Sequence, residues 1–528
     1  MRTDIPGGLT ARRLGAKSWW ALAGWGACGV VLGAIAQPIQ TKGPLRFEVS
    51  LRSGLVSSNL EGRLFVVLSP TNNPEPREGL GRTGLDAPPA FARDIHEFQS
   101  GDTVTLGEGA FGFPVAHLGE LPAGDYFVQA LVDRAYELRM PNAPGNLYSV
   151  PQQLHVDPVL GGVFHVELSE QLAEEELPPD SEEIKYVKVP SRLLTAFHRR
   201  PMFLRAGILL PANYLREPSR KYPLWVRVGG FNTRCWALQK LSAHEAFRDV
   251  WQSAKTPPFI LLQLDGAGPY GDPYYVDSAN NGPYGEALTT ELIPYVEARF
   301  RALGQSQARV LSGTSTGGWV SLALQIFYPD FFNGTWSSSP DPVDFRAFEL
   351  VNVYEGTNAY VNEFGNERPS ERALDGDVVL TMRREVGMEN LLGRGNSYVS
   401  SGGQWGAWNA TFGPRGRDGN PLPIWDAQTG TIDHSVAEAW KKYDLRLVLR
   451  KNWRTLGPKL RGKLHIAAGE ADQYFLNNAV HLLDEDLSEL DPHFSRTIAY
   501  GRGKGHGWMD ISLAQMLEEM RVATSGRP

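Results

Sequence analysis

The sequence predicts a doubly wound, mostly parallel α/β sheet preceded by an all-β region of sandwich type. Three observations lead there. Near-continuous apolar runs recur between residues 203 and 311 and again at 464–467, separated by a segment of helical period; such runs fit parallel strands buried on both faces, and their alternation with helices fits an α/β layer structure. Residues 44–172 show short period-2 stretches and frequent turn residues instead, the pattern of half-buried strands. The length of 528 residues exceeds one ordinary domain.

The elements follow in chain order. Arg2, Arg12, Arg13 and Lys17 precede an uncharged run from Ser18 to Gln40, closed by Ala34-Ile35-Ala36 before Gln37. A charged start, an apolar stretch and a small-x-small site predict a secretory signal over residues 1–36. About 18 apolar residues are also long enough for an uncleaved anchor. In both cases the positive flank stays inside, so the remainder is expected to be exported, periplasmic or extracellular. Cys28 lies in this segment, which leaves Cys235 alone and excludes both an intramolecular disulfide and a cysteine zinc site.

In the β region, Phe47, Val49 and Leu51 alternate with polar residues, as do Phe164, Val166 and Leu168. Leu121-Pro122-Ala123-Gly124-Asp125-Tyr126 reads as a turn leading into a strand over 126–132, and the whole as a sandwich of immunoglobulin or fibronectin type. An acidic, proline-containing stretch over 173–190 is expected to be a linker. The catalytic region is then expected at 191–340 and 444–528. Its strands are Phe203–Leu210, Leu224–Val228, Phe259–Leu264, Ala308–Leu311 and Leu464–Ala467, with a helix from Tyr284 to Phe300 whose Leu288, Leu292, Val296 and Phe300 share one face. Residues 341–443, rich in Gly, Asn, Trp and Tyr, interrupt this alternation and are expected to cap the active site.

Gly313-Thr314-Ser315-Thr316-Gly317 is a G-x-S-x-G pentapeptide. In a chain with 56 glycines it is weak evidence by itself. Its context is the one the α/β-hydrolase nucleophile elbow requires, a short strand before and a helix-compatible run after. A serine hydroxyl needs a base, and in this fold the acid and the histidine follow the serine. His506, between two glycines after a last expected strand at about Ser495–Ala499, is preferred to His434, His465 and His481. Gly469-Glu470-Ala471-Asp472 offers two carboxylates after strand 464–467; Asp472 is preferred to Glu470, its competing role being a cap for a helix starting at Gln473. The oxyanion donors are expected to be the backbone N–H groups of Thr316 and of Phe231, in the turn Gly229-Gly230-Phe231. Trp405 and Trp408 lie in a Gly-rich segment too flexible to read as a core helix, and are expected to line the substrate pocket or to pack the insertion.

Four stretches resemble the family known as putative esterases. Leu209-Leu210-Pro211-Ala212-Asn213-Tyr214 followed by Tyr222-Pro223-Leu224-Trp225-Val226 looks like its opening, and Glu291-Leu292-Ile293-Pro294-Tyr295-Val296-Glu297 like its helix before the nucleophile strand. Gly313–Gly318 falls where its serine motif lies, and Gly469–Asp472 with His506-Gly507-Trp508 where its acid and histidine lie. That family includes feruloyl esterases, enterochelin esterases, S-formylglutathione hydrolases and mycolyltransferases. The resemblance implies Ser315, Asp472 and His506 as triad, with Phe231 and Thr316 as oxyanion donors. Thr316 replaces the commoner Met or hydrophobic residue, and the insertion is larger than usual.

The expectation is an exported serine ester hydrolase acting on a small-molecule or carbohydrate ester, such as a feruloyl, acetyl or siderophore ester, without metal or organic cofactor. The alternatives are an acyltransferase to a sugar hydroxyl and a non-catalytic binding protein of the same fold. With 52 basic against 59 acidic side chains and a net charge of -7, the chain carries no electrostatic footprint for nucleic acid. Membrane attachment is expected only through an uncleaved N-terminal segment.

Overall fold

The computed structural model describes residues 43–525, apart from 58, 85–86 and 491–496. The expected signal segment therefore lies outside the described residues.

Residues 43–171 form two sheets. In one, Gly43–Leu51 runs antiparallel to Thr103–Leu106 and parallel to Gly161–Leu168. The other is seven-stranded and built around Gly124–Asp133, which pairs with Leu60–Ser69 and Gln152–Val156. The period-2 side chains explain how they meet: Phe47, Val49, Phe164 and Val166 of the first sheet share a core with Leu64, Val66, Val128 and Ala130 of the second. At the turn before Gly124–Asp133, the Tyr126 hydroxyl donates to Pro122 O at 2.8 Å, tying the strand to the backbone four residues upstream.

The second module is an eight-stranded sheet. Its strands are β1 (Ile184–Pro190), β2 (Phe203–Leu209), β3 (Leu224–Val228), β4 (Ile260–Leu264), β5 (Arg309–Thr314), β6 (Thr335–Ser338), β7 (Leu464–Gly469) and β8 (Thr497–Gly501), in the spatial order β1-β2-β4-β3-β5-β6-β7-β8. The pairs β1–β2 and β2–β4 are antiparallel; all the others are parallel. Alternate side chains of one strand serve opposite faces. Leu224, Val226 and Val228 enter a core with the helices Ile293–Arg299 and α1 (Thr316–Phe327), whereas Trp225 joins one with Ala237–Ala243, Glu245–Gln252 and Leu513–Thr524. Each fully buried aliphatic side chain contributes about 1.5–3 kcal/mol, and both faces are covered in this way.

The expected linker needs correction, and one buried strand was not foreseen. The linker placed at 173–190 ends early, because residues 184–190 form β1 against β2. Its acidic run is also docked: Glu175 accepts two 2.7 Å bonds from Arg234. Strand β6 lacks the long apolar run that marks its neighbours; its Thr335-Trp336-Ser337-Ser338 sequence is nevertheless buried, because α1 covers one face and the helix Leu513–Thr524 the other.

Between β6 and β7 the chain leaves the sheet and forms, among other elements, α2 (Met382–Leu392) and α3 (Gln404–Phe412). The Gly-rich segment is no flexible loop. Gly403 and Gly406 permit close approach: a Cβ at Gly406 would stand 2.4 Å from Tyr398 O, and one at Gly403 2.4 Å from the Glu389 carboxyl carbon. Glu389 of α2 accepts from Trp405 N–H at 2.8 Å and Gly406 N–H at 2.9 Å, satisfying first-turn donors of α3 that have no intrahelical partner. Trp405 and Trp408 are 1 % and 2 % exposed. They meet edge to face at 4.6 Å, with Trp425 at 5.0 Å from Trp405 and Phe348 at 4.8 Å from Trp408.

The insertion also carries the β region. Phe65, Val67, Ala90, Ala92 and Leu131 on the outer face of the seven-stranded sheet pack on Met388, Leu391 and Leu392 of α2. Arg63, fully buried, donates to Leu391 O at 2.6 Å, Asn396 Oδ1 at 2.8 Å and Asp94 Oδ1 at 2.8 Å. Because Trp405 is buried among rings, Trp405→Ala should cost about 3–5 kcal/mol, the scale of large aromatic truncation. Denaturant-induced unfolding checks this; a loss below about 1 kcal/mol would contradict the packing described.

Candidate active site

The loops that follow β3, β5, β6, β7 and β8 gather at the carboxyl edge of the sheet, where ligands bind in open α/β folds. Strand β5 ends at Thr314 and α1 begins at Thr316, so Ser315 alone makes the reversal, with φ 59° and ψ −127°. An L-residue with positive φ in this region costs on the order of 1–3 kcal/mol and persists only where its surroundings hold it. Here Ser315 N–H donates to Ser338 O at 3.0 Å, and Ser315 O accepts from Trp319 N–H at 3.1 Å and Asp341 N–H at 3.2 Å. The second glycine of the pentapeptide is required by contact: a Cβ on Gly317 would lie 2.2 Å from Val228 O of β3.

Asp472 follows β7 and is fully buried. Its Oδ2 lies 2.9 Å from His506 Nδ1, and its Oδ1 accepts from Tyr474 N–H at 3.0 Å. The helix expected from Gln473 begins at Asn477, so Asp472 does not cap it and its second oxygen is left for the histidine. Glu470 is exposed. His506 follows β8; its N–H donates to Gln473 Oε1 at 2.6 Å, and the Tyr474 ring meets the imidazole edge-on at 5.0 Å. The other candidate histidines serve elsewhere: His465 stacks on Trp336 at 4.6 Å and His481 on Tyr500 at 4.2 Å, while His434 opens a short helix.

Ser315 and His506 line one cleft of about 690 Å³, together with Gly230 and Phe231 of the turn after β3. A Cβ on Gly230 would lie 3.8 Å from Ser315 Cβ, so this turn abuts the serine. Thr316 N–H is the first of α1 and has no acceptor within the helix. Of the two tryptophans, Trp408 lines the cleft and Trp405 does not. The cleft has three sources: the loops of the sheet, Leu80, Thr83 and Arg139–Pro141 of the β region, and Glu349, Glu385, Met388, Glu389 and Gln404 of the insertion.

Asp341, in the loop after β6, was not singled out from the sequence. Its Oδ2 accepts from the Tyr274 hydroxyl at 2.6 Å, Trp408 Nε1 at 2.9 Å, Thr316 Oγ1 at 3.0 Å and Gln404 Nε2 at 3.3 Å, and its Oδ1 faces Ser315 Oγ at 3.4 Å. Burial pushes this carboxyl above the ordinary range, while the hydrogen bonds from Tyr274, Trp408 and Thr316 act in the opposite sense. The available signal was Pro340-Asp341-Pro342, a carboxylate held between two prolines just beyond a strand. Burial also raises Asp272 and Glu389, each to about 7.

A mixed sheet of this order, with a strained serine at the β5–α1 turn and an acid–histidine pair after β7 and β8, defines an α/β-hydrolase. Residues 202–486 match the family model described as Putative esterase, and the chain belongs to that family as a serine carboxylic-ester hydrolase. Solved structures to which the chain is similar include a ferulic acid esterase (15 % identity, 65 % of this chain and 98 % of that one, TM-score 0.39). Others are an S-formylglutathione hydrolase from Agrobacterium tumefaciens (12 %, 65 % and 94 %, 0.37) and a ferulic acid esterase from Anaeromyces mucronatus in complex with ferulic acid (12 %, 66 % and 93 %, 0.32). No curated protein matches the chain.

Asp472→Asn should lower kcat far more than Glu470→Gln, because only Asp472 reaches the imidazole. An asparagine offers the wrong hydrogen bond to Nδ1, a change on the scale of about 10⁴ in kcat. Steady-state kinetics of both variants checks this; the reverse order would assign the acid to Glu470.

Proposed function

We propose that the protein is an exported esterase that works through a Ser315–His506–Asp472 triad and an acyl-enzyme. The observation that carries this reading is a serine held at positive φ on the rim of the cleft that a carboxylate-paired histidine also lines. With Asp472 Oδ2 accepting from His506 Nδ1–H, Nε2 is left as the base. It takes the Ser315 proton as Oγ attacks the ester carbonyl, and the N–H groups of Phe231 and Thr316 receive the negative charge that develops on oxygen. The imidazolium returns the proton to the departing alcohol. Water then enters, His506 takes its proton, and the acyl group leaves as the acid. Each donor is fixed before reaction, so little reorganisation is needed at the transition state.

The substrate of this reading is a small-molecule or carbohydrate ester, since the cleft is half-open and lined by apolar side chains as well as polar ones. Feruloyl and acetyl esters are the first to try. Export is supported by the charged, apolar and small-residue pattern of residues 1–36. The two N-terminal sheets with one shared core support the β-sandwich reading, and the Tyr126–Pro122 hydrogen bond resembles the tyrosine corner of such folds.

Ser315→Ala removes the nucleophile and little volume. It should cost on the order of 10⁴–10⁶ in kcat against a 4-nitrophenyl ester while leaving the melting temperature unchanged or higher, since Ala still bears the backbone strain but buries no hydroxyl. Retention of more than about a tenth of the activity in purified protein rules the triad out.

A further inference from the structure

One buried carboxyl near the nucleophile is left unexplained by the chemistry above. Glu349 is 4 % exposed and lines the cleft, yet its Oε2 has no hydrogen-bond partner among the described residues. Burying such an oxygen without a partner costs about 1–3 kcal/mol. Its backbone is also held at φ 53°. The other buried cleft carboxylates are accounted for: Glu389 caps α3, and Asp341 collects Tyr274, Trp408, Thr316 and Gln404. Glu349 instead has acids for neighbours. Burial, and after it the like charges of Glu385, half-buried on α2, and of Asp341, Asp472 and Glu371, raise it well above the glutamate range. Arg139, the arginine of the cleft, is tied to Asp133 at 3.0 Å.

We propose that the Glu349–Glu385 wall is a subsite for a protonated amine carried by the ester substrate. This deepens the esterase reading and rests on it. A hydroxyl in that place would give Glu349 one hydrogen bond but leave the like charges facing one another. An ammonium group does both things, since it donates to the free oxygen and neutralises the cluster. A metal ion is the poorer occupant, because among the described residues no group of three His, Cys, Asp or Glu side chains is arranged to hold one. Trp408 and Tyr474 line the same cleft, and aromatic rings suit an organic cation as well. The cost of leaving Glu349 unpaired without substrate is then the stability a binding site gives up for function.

The test uses two matched series of esters, with the amine in the acyl part or in the alcohol part, each against its hydroxyl and methyl isosteres. In the wild-type protein, kcat/KM for the amine should exceed that of both isosteres by at least about tenfold in one series, and that series locates the subsite on the acyl or the alcohol side. Glu349→Gln should collapse the preference to below about threefold and leave the melting temperature near that of the wild type, since the amide keeps the volume and the buried oxygen of the acid it replaces. A calorimetric titration of Ser315→Ala with the amine ester and its hydroxyl isostere reads the subsite without turnover. Equal affinity for the two, equal kcat/KM in both series, or a preference that survives Glu349→Gln overturns the proposal. Tight, selective amine binding with no turnover of any ester by the wild type would instead leave the subsite standing and fell the esterase reading.

Discussion

The site depends on the satisfaction of one buried carboxylate. An ionised group taken out of water is tolerated only where donors surround it, and the donors to Asp341 come from separate parts of the chain: Tyr274 after β4, Thr316 on α1, and Gln404 and Trp408 on α3. Moving any of these elements breaks a bond to a buried carboxyl. Asp341 therefore fixes the insertion against the nucleophile helix. Its other oxygen faces Ser315 Oγ and its N–H holds Ser315 O, so the same residue steadies the strained turn.

The rest of the architecture follows from that register. With α3 fixed, its ring cluster of Trp405, Trp408 and Phe348 joins the insertion to the core, and Phe412 extends it to Trp319 of α1 at 5.0 Å. Helix α2 lies against α3 through the Glu389 cap, and the β region lies on α2 through an apolar patch and Arg63. This places Leu80 and Arg139–Pro141 in the wall of the cleft that the serine also lines. The N-terminal region is thus a wall of the cleft and not a separate module on a tether, so changes far from residue 315 in sequence can alter which esters enter.

Much of this was legible in the sequence, and the boundary of legibility has physical causes. Strands β2, β3, β4, β5 and β7 announced themselves because burial on both faces demands unbroken apolar runs. The serine turn was legible because so few residues tolerate its contacts, and the acid and histidine because chain order in the fold is fixed. Strand β6 was missed because Ser can line a buried strand when carbonyls outside the sheet accept from it, as Gly318 O does from Ser337 Oγ and Trp508 O from Ser338 Oγ. The insertion was misread for an instructive reason. Its glycines signal close packing of α3 on Tyr398 and Glu389, and glycine composition alone does not separate close approach from flexibility. Asp341 and Glu349 were not singled out because a buried carboxylate is defined by partners brought from other elements, 25 to 67 residues away for Asp341, or by their absence.

The central claim is that the strained Ser315 is the nucleophile activated by the Asp472-bound histidine. Intact-protein mass spectrometry after treatment with an alkyl fluorophosphonate tests it directly, since such a reagent marks only a serine that is deprotonated as it attacks. The account predicts one adduct, mapped by peptide analysis to Ser315, forming at least about 100-fold more slowly in His506→Ala. An adduct at another residue, no adduct at all, or an unchanged rate in His506→Ala would contradict it.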